Sequence, residues 1–459
     1  MTVRADPGRD RAAVLAYHER TKHHYRRFAA GPHGLDWANQ PHPVRRWPGA
    51  ELVPLDLLPP SAGAAAIEPP YAAAMIAGHV APAPLARRSI SQLLYDSLAL
   101  SAWKEAGGSH WALRVNPSSG NLHPTEGYLL LPPIEGIAGE AAVWHYAPLE
   151  HGLEKRAEIP TALWARLAAG LPAGAFLAAL TSIHWREAWK YGERAYRYCQ
   201  HDAGHAIAAL SFAAAGLGWD VELLDTPGTD EVGALCGVFA EVGPEAEHAD
   251  CLLVVRPRGT ADRTTRAHLA AEVAPAFRAL AWRGTANQLS PEHVEWRAID
   301  VVAGAARKPR TAEASVWEPP GGRPAPPADG VALRTILHQR RSGVDFDGRT
   351  GASAATFHRL LASVVPRAGL RSFDVLGWRP RLDLLLFVHR IEGHEPGLYW
   401  LARDPARLAA VRAALRPDLL WRRPVAGPDD LSLYLLHAAD LRGAAADVSC
   451  QQEIAAHGA

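Results

Sequence analysis

Residues 116–124 concentrate groups that could hold a ligand. They read Asn-Pro-Ser-Ser-Gly-Asn-Leu-His-Pro. Two prolines, two serines, two asparagines and a glycine do not build a regular element, so a turn-rich loop is predicted. The apolar run at 128–131 predicts a buried strand directly after it. Such a loop can lay backbone N–H groups against a ligand, although its composition alone favours an ordinary connection.

A second candidate is an anion site formed by Arg87, Arg88 and Ser89 at the start of a predicted helix. Apolar residues recur at helical spacing from Leu85 to Leu100. Cations in a first helical turn oppose the helix dipole unless an anion neutralises them. A phosphate would use the free N–H groups, the guanidinium groups and the hydroxyl together. The alternative is a pair of surface arginines.

Residues 184–219 are predicted to be mostly helical, with a basic face interleaved with aromatic rings. The basic positions are Lys190, Arg194, Arg197 and His201, spaced four, three and four residues apart. This spacing places them along one helix face. The aromatic rings are too large to leave in water and must pack on another helix, another subunit or a ligand.

Lys190 and Tyr191 form an adjacent pair in this stretch that is suited to proton transfer. The ammonium group would depress the pKa of the phenol, and burial would depress the pKa of the lysine. Neighbouring residues on a helix point about 100° apart, however. A structural role for at least one of the two is therefore equally supported.

The size and composition of the chain narrow its class. A length of 459 residues predicts two or three domains, and Lys plus Arg equals Asp plus Glu at 48 each, so no strongly basic field for nucleic acid exists. The four cysteines lack metal-ligand spacing and are predicted to be reduced thiols, with no metal site. No secretory signal or bilayer-length apolar run is present, which predicts a cytoplasmic protein without a membrane partner.

The chain also contains a weak internal repeat. Arg340-Arg341-Ser342 repeats Arg87-Arg88-Ser89 after 253 residues, and Cys450 repeats Cys199 after 251 residues. Two features with nearly one offset indicate a duplicated unit. The second copy has no counterpart of the Pro-Ser-Ser-Gly-Asn loop in residues 372–382, and only nine residues follow Cys450, so it is predicted to be incomplete.

Three motifs in one order resemble the nitroreductase-like flavoproteins, and most closely the SagB/ThcOx dehydrogenases of azole-containing peptide biosynthesis. They are the Arg-Arg-Ser triplet at 87–89, the loop at 116–124 and the Lys-Tyr segment at 190–198. The resemblance implies an α+β, nitroreductase-like (FMN-dependent) fold in two tandem units, the second incomplete. The predicted divisions are an N-terminal helix and arm at 1–80, a first unit at 81–260, a connector with a Pro/Gly-rich linker at 261–330, and a second unit at 331–459.

The same resemblance implies how the residues are used. Lys190 and Tyr191 would be catalytic. The residues assigned to FMN are Arg87, Arg88, Ser89, Asn116, Pro117, Ser118, Ser119, Gly120, Asn121, Gly218, Arg256 and Arg258. Arginines would neutralise the phosphate, and the loop would donate hydrogen bonds to the edge of the isoalloxazine ring.

Three functions follow from these features. The favoured one is an FMN-dependent dehydrogenase that acts on an azoline-like heterocycle in a modified peptide or small molecule, by hydride transfer to flavin N5. The alternatives are an NAD(P)H-dependent nitro or quinone reductase and a flavin-binding protein without turnover. A peptide-modifying enzyme is the expected partner, and the two units would form an internal pseudo-dimer, or the chain a homodimer.

Overall fold

The computed structural model describes residues 7–24, 27–59, 68–257, 266–314, 317–319, 330–371, 373–425 and 427–459. The elements up to residue 257 are α1 (Pro7–Thr21), β1 (Glu51–Pro54), α2 (Tyr71–Ala74), α3 (Arg87–Tyr95), β2 (Leu100–Ala106), β3 (Ser109–Arg114), β4 (Thr125–Leu131), β5 (Ala142–Ala147), β6 (Gly152–Glu158), α4 (Thr161–Ala168), β7 (Phe176–Ile183), α5 (His184–Tyr191), α6 (Ala195–Gly216), β8 (Trp219–Leu224), α7 (Thr229–Cys236) and β9 (Glu247–Pro257). The later ones are α8 (Val273–Phe277), α9 (Arg297–Ala305), α10 (Leu333–Gln339), α11 (Ala354–Ser363), β10 (Leu384–Val388), β11 (Gly397–Leu401), α12 (Leu408–Ala414), β12 (Leu433–Ala438), α13 (Arg442–Val448) and α14 (Glu453–His457).

A seven-stranded antiparallel sheet forms the centre of the first unit. Its strand order is β1-β6-β5-β4-β7-β9-β8, and β2 and β3 form a separate hairpin. Every residue of β4 and β7 is buried. Such strands show no alternation of polar and apolar residues because both faces of the sheet are covered.

Two layers of helices cover the two faces of this sheet. Leu129 of β4 belongs to the apolar cluster that contains Leu93 of α3 and Leu210 of α6. Its neighbour Leu130 belongs to the other cluster, with Leu167 of α4 and Phe277 of α8. The alternation follows from the strand geometry, in which successive side chains point to opposite faces. The face that α3 and α6 cover is called the α6 face below.

The predicted helix over 184–219 is interrupted. α5 ends at Tyr191, a short 3-10 turn spans Gly192–Arg194, and α6 begins at Ala195. Gly192 has φ +53, and a Cβ at this position would lie 2.6 Å from the carbonyl oxygen of Ala30. Only glycine fits where the backbone at Ala30 approaches residue 192 so closely. Because the helix is interrupted there, Lys190 lies on a different helix from Arg197 and His201. The prediction of one continuous basic face is therefore wrong.

The N-terminal helix is held by one end of its inner face. α1 ends at Thr21, and its buried residues are Tyr17 and Thr21, whereas Val14 and Leu15 are exposed. Tyr17 packs edge-on against the ring of Tyr196, and its hydroxyl donates to the carbonyl oxygen of Glu193 at 2.6 Å. These contacts attach α1 to the segment that leads into α6.

The second unit contains a smaller sheet of the order β10-β11-β12, with antiparallel pairing between neighbours. The strands β4, β5 and β6 form the same consecutive antiparallel arrangement in the first unit. The repeated triplets differ locally, because Arg87 begins α3 while Arg340 follows the end of α10. The repeat therefore stays a prediction. Cys450 and Gln451 have φ +59 and +64 and lie between α13 and α14, whereas Cys199 lies within α6.

The position of α3 over the sheet generates a stability prediction. Leu93 is 0% exposed, whereas Leu149 is 49% exposed. Leu93→Ala is expected to lower the free energy of unfolding by about 2–5 kcal/mol, since it removes buried methyl groups and leaves a cavity. Leu149→Ala should change it by less than about 0.5 kcal/mol. Urea unfolding followed by tryptophan fluorescence measures both, and equal losses would contradict the assigned core.

Candidate functional site

The predicted loop is fixed by one carboxylate of α6. Asp202 accepts hydrogen bonds from Ser118 Oγ at 2.6 Å, from Ser119 N at 3.0 Å and from Ser119 Oγ at 3.0 Å. Its side chain is buried. Because all its partners are donors, Asp202 is held as a carboxylate, and the loop is tied to α6 instead of to the sheet.

The two asparagines of the loop have different environments. Asn121 Nδ2 donates to the carbonyl oxygen of Ala112 on β3 at 2.9 Å, and Asn121 Oδ1 lies 2.9 Å from His123 Nε2. Asn116 is buried, yet its Oδ1 has no hydrogen-bond partner among the residues that the structure describes. Asn121 therefore fixes the loop, whereas Asn116 offers an acceptor to a ligand.

Lys190 and Tyr191 contact the tip of this loop. A Cβ at Gly120, where φ is +58, would lie 2.6 Å from Tyr191 Oη and 3.1 Å from Lys190 Nζ. Lys190 Nζ lies 5.6 Å from the centre of the Tyr191 ring. The loop and the Lys-Tyr pair, predicted separately from the sequence, therefore lie in direct contact, and glycine is required between them.

The electrostatics of Tyr191 differ from the expectation. Burial raises the pKa of its phenol, and Glu187, Tyr198 and Asp202 raise it further. The rings of Tyr191 and Tyr198 are 4.4 Å apart. The prediction that Lys190 depresses this pKa is therefore wrong, because burial and two nearby carboxyl groups outweigh one ammonium group. Tyr191 is neutral at pH 7.

A buried cluster of charges supports the loop from below. Arg186 NH1 donates to the carbonyl oxygen of His123 at 2.5 Å and to Glu126 Oε1 at 2.5 Å. His145 lies between two carboxylates, with Nε2 3.1 Å from Glu126 and Nδ1 2.8 Å from Glu154. Both ring nitrogens must donate, so His145 is an imidazolium ion. The loop therefore rests on an alternating row of buried charges.

The pKa values of this cluster follow from its geometry. Burial lowers the pKa of His145, but the hydrogen bonds to Glu126 and Glu154 outweigh burial, and the net pKa is raised. Burial raises the pKa of Glu126, but Arg186 and His145 outweigh it and lower the pKa to about 2. Each group is charged in the folded state because its partners are.

At the predicted phosphate site of α3, Arg87 and Ser89 already form hydrogen bonds within the protein. Arg87 donates to the carbonyl oxygens of Pro54 at 2.6 Å and Gly136 at 2.5 Å. Ser89 Oγ accepts from the backbone N–H of Ala86 at 2.9 Å, so it caps its own helix. Arg88 is exposed. The start of α3 therefore holds two neighbouring segments in place.

The remaining predicted residues lie away from the loop. A Cβ at Gly218 would lie 2.5 Å from the carbonyl oxygen of Ala81, in the segment that leads into α3. Asp202 and Gly216 are 14 residues apart on α6, which places these two ends roughly 20 Å from each other at ~1.5 Å per residue. The Arg87 and Gly218 region and the loop therefore lie at opposite ends of α6.

Arg256 lies on yet another side. Val255 belongs to the apolar cluster of the α6 face and Val254 to the opposite cluster, so Arg256 points away from α3 and α6. It is buried, and its NH1 lies 3.7 Å from Glu222 of the neighbouring strand. Arg258 lies outside the described residues.

Two arginines that the sequence marked only as a repeat lie on the loop side. Arg341 NH2 lies 3.5 Å from the carbonyl oxygen of Ser101 on β2. The paired strand β3 supplies the carbonyl oxygen that holds Asn121. Arg340 and Arg341 are exposed, and no described carboxylate lies within 4.0 Å of either. Two adjacent cations without an acid attract an anion.

Residues 85–241 match the nitroreductase family model, which identifies a nitroreductase-family domain in that part of the chain. No curated protein matches the chain. None of the described helices is both long and apolar enough to cross a bilayer.

Three solved structures are similar. A nitroreductase from Anabaena variabilis has a TM-score of 0.62 at 18% identity, covering 96% of this chain and 82% of that one. The E. coli microcin synthetase McbBCD complex, with truncated pro-MccB17 bound, has a TM-score of 0.29 at 22% identity, covering 38% and 64%. A nitroreductase from Ralstonia eutropha has a TM-score of 0.31 at 14% identity, covering 50% and 97%.

These comparisons establish the fold. The likeness to the Anabaena structure spans nearly the whole chain and confirms the predicted α+β, nitroreductase-like fold class. The other two structures are too different in overall shape to carry an argument. The identity of the substrate lies beyond what a shared fold can show.

The buried charge cluster generates a prediction about stability and pH. His145→Gln should cost about 3–5 kcal/mol at pH 6, because it removes the buried cation that Glu126 and Glu154 share. Since the fold raises the pKa of His145, its contribution is complete below the ordinary pKa of about 6.5 and is lost as the pH rises through the raised value.

Urea unfolding of the wild type and His145→Gln at pH 6 and pH 9 measures both effects. The difference between the two proteins should shrink at the higher pH. His293 provides a matched control, since its Nε2 lies 2.7 Å from Glu245 at a partly exposed position. His293→Gln should cost at most about 1 kcal/mol. A difference that grows with pH would show that His145 is neutral.

Proposed function

We propose that the chain is an FMN-dependent oxidoreductase of the SagB/ThcOx type, which dehydrogenates an azoline-like heterocycle of a modified peptide or a related small molecule. The supporting observation is the contact of Gly120 with Lys190 and Tyr191, inside a nitroreductase fold. A loop of small donors and a pair of proton-carrying side chains lie against each other at one place. That is the combination that hydride transfer to a flavin requires of a protein.

The residues around the loop fit FMN. The orphaned Oδ1 of buried Asn116 can accept a hydrogen bond from a ring N–H, and the neighbouring turn offers backbone groups at Gly120. Lys190 supplies a positive charge beside the same turn. Arg340 and Arg341 supply cations on the same side of the domain. Acceptors, donors and cations of this set match FMN, in which a ribityl chain joins the isoalloxazine ring to the phosphate.

The phosphate is assigned to Arg340 and Arg341 in this proposal. The earlier candidates Arg87 and Arg88, at the start of α3, lie at the end of α6 that is far from the loop. Arg256 points away from the α6 face. The triplet of the second unit is therefore better placed than that of the first. The flavin would then lie between the units, with the loop from one and the arginines from the other.

The bound flavin would supply the hydride acceptor, and the chain would supply position and proton transfer. Lys190 holds its ammonium group against the loop and the Tyr191 ring. Tyr191 is the hydroxyl closest to the loop tip, so it is the group through which a substrate proton would leave. Because its pKa is raised, the basic form is scarce at pH 7, and dehydrogenation is expected to accelerate as the pH rises.

The protonation of Tyr191 also favours one alternative, an NAD(P)H-dependent nitro or quinone reductase. Reduction of such compounds consumes protons, and a neutral phenol at the loop can donate one. Oxidation of NADH in the presence of a nitroaromatic compound would select this function. A thiazoline-containing peptide that bleaches the flavin without NADH would select the dehydrogenase. The peptide-modifying partner and the cytoplasmic location remain expectations from the resemblance.

FMN binding tests the assignment of the phosphate. Replacing both Arg340 and Arg341 by alanine should weaken FMN binding about 10²- to 10⁴-fold, because each of the two charge-assisted hydrogen bonds is worth about 1.5–3 kcal/mol. Arg87→Ala should leave the affinity within about 3-fold and lower thermal stability, since it releases Pro54 and Gly136. Titration by flavin fluorescence measures all three proteins. Loss of FMN from Arg87→Ala, with normal binding in the double variant, would return the phosphate to α3.

Single-turnover kinetics test the Lys-Tyr pair. Tyr191→Phe and Lys190→Ala should each slow flavin reduction by a thiazoline-containing peptide about 10²-fold or more, as expected for a lost proton-transfer group. FMN affinity should stay within a few-fold of wild type. Tyr198→Phe is the matched control, because that ring packs on Tyr191 but its hydroxyl accepts from Arg194 at 3.1 Å. Equal rates in Tyr191→Phe and Tyr198→Phe would assign the pair to structure.

A further inference from the structure

Glu187 is a buried acid beside the proposed site that neither the loop nor the Lys-Tyr pair uses. It lies on α5, three residues before Lys190 and four before Tyr191, and its side chain is fully buried. Neither carboxyl oxygen has a hydrogen-bond partner among the residues that the structure describes. Burying a polar group without a hydrogen-bond partner costs about 1–3 kcal/mol of folding free energy. A carboxyl group that is buried at this cost beside the proposed site indicates that Glu187 has a role in that site.

The neighbours of Glu187 decide its charge. Asp202 already accepts the hydrogen bonds that Ser118 and Ser119 of the loop at 116–124 donate, and it is held as a carboxylate. Facing Glu187 are Lys190 and Tyr191 on its own helix, and Cys199 and Asp202 on α6. Lys190 is the one cation in this group, and no ion pair shorter than 4.0 Å joins it to a described carboxylate. Two carboxylates cannot both ionise beside each other with donors for only one, so Glu187 carries the proton.

The pKa of Glu187 has the same direction. Burial raises it well above the ordinary value, Asp202 raises it further, and Lys190 opposes both. Glu187 in turn raises the pKa of the Tyr191 phenol. The charge of Glu187 therefore influences the protonation of the Tyr191 hydroxyl, which contacts the tip of the loop.

We propose that Glu187 is a positioning residue that holds a proton at neutral pH and that, at a higher pH where it is ionised, takes up a proton when the bound FMN is reduced, through its coupling to Lys190 and Tyr191. This inference rests on the proposed function. Electrons added at the loop bring negative charge close to Lys190, and an ionised Glu187 would oppose them. A protonated Glu187 adds no charge. When the pH lies above the pKa of Glu187, reduction by two electrons therefore draws one additional proton from solvent onto this residue.

The midpoint potential of FMN bound to the full chain tests the coupling without any substrate. In the wild type, the plot of potential against pH should become steeper above the pKa of Glu187, by about 30 mV per pH unit. This is the value of a tenfold change in proton concentration for one proton taken up with two electrons. Glu187→Gln keeps the shape and the neutral charge, so it should bind FMN within about 3-fold and lack the steeper segment.

A second acid with a raised pKa provides the control. Asp250 contacts Ser182 Oγ at 2.5 Å and Gln200 Nε2 at 3.3 Å, and desolvation raises its pKa to about 7. Gln200 and Asp202 point to opposite sides of α6, about 200° apart. Asp250→Asn therefore removes a half-buried acid on the side of α6 away from the loop. Its plot of potential against pH should keep the steeper segment.

Infrared difference spectra separate this inference from the proposed function. At pH 7, wild type minus Glu187→Gln should show the C=O band of a protonated carboxyl group, with or without FMN. Absence of that band overturns the proposal, and so does a steeper segment that persists in Glu187→Gln. A protein that takes up no FMN refutes the proposed function and the coupling together, while the infrared band still decides whether Glu187 holds a proton.

Discussion

The tie between the serine loop and Asp202 is the interaction on which the arrangement of the site depends. The loop contains two prolines and a glycine with positive φ, and it belongs to no strand that could fix it. Charge-assisted hydrogen bonds to a carboxylate are roughly twice as strong as neutral ones. Because Asp202 lies on the helix that covers the sheet, the loop is positioned by the core. These hydrogen bonds to Asp202 also leave no loop donor for Glu187. They therefore determine which of the two acids, Asp202 or Glu187, keeps a proton.

The geometry of the sheet explains why the predicted cofactor residues divide into separate groups. α3 and the loop lie on the same face but at opposite ends of α6, and Arg256 lies on the other face. Residues that belong to the same family motifs can lie far apart in an antiparallel sheet, either at opposite ends of a strand or on opposite faces of the sheet. A ligand that contacts the loop must therefore find its cations elsewhere. The exposed arginines after α10, beside the β2-β3 hairpin, supply them on the loop side.

Local patterns predicted what depends on local physics. The proline- and serine-rich loop and the buried strand at 128–131 directly after it agree with the structure, because turn chemistry and periodicity act over a few residues. The break at Gly192 and the role of Arg87 depend on partners far away in sequence, at Ala30, Pro54 and Gly136. Composition and spacing do not predict contacts between residues that are far apart in the sequence. The raised pKa of Tyr191 belongs to the same class, since burial beside Asp202 is set by the packing of α5 on α6.

The protonation of the site links the direction of its chemistry to pH. Burial raises the pKa of both Tyr191 and Glu187 and favours their protonated forms, while Asp202 accepts the hydrogen bonds of the loop. A site in this state donates protons readily, as a reductase requires. Dehydrogenation runs the same transfers in reverse, so one of these groups must first lose its proton.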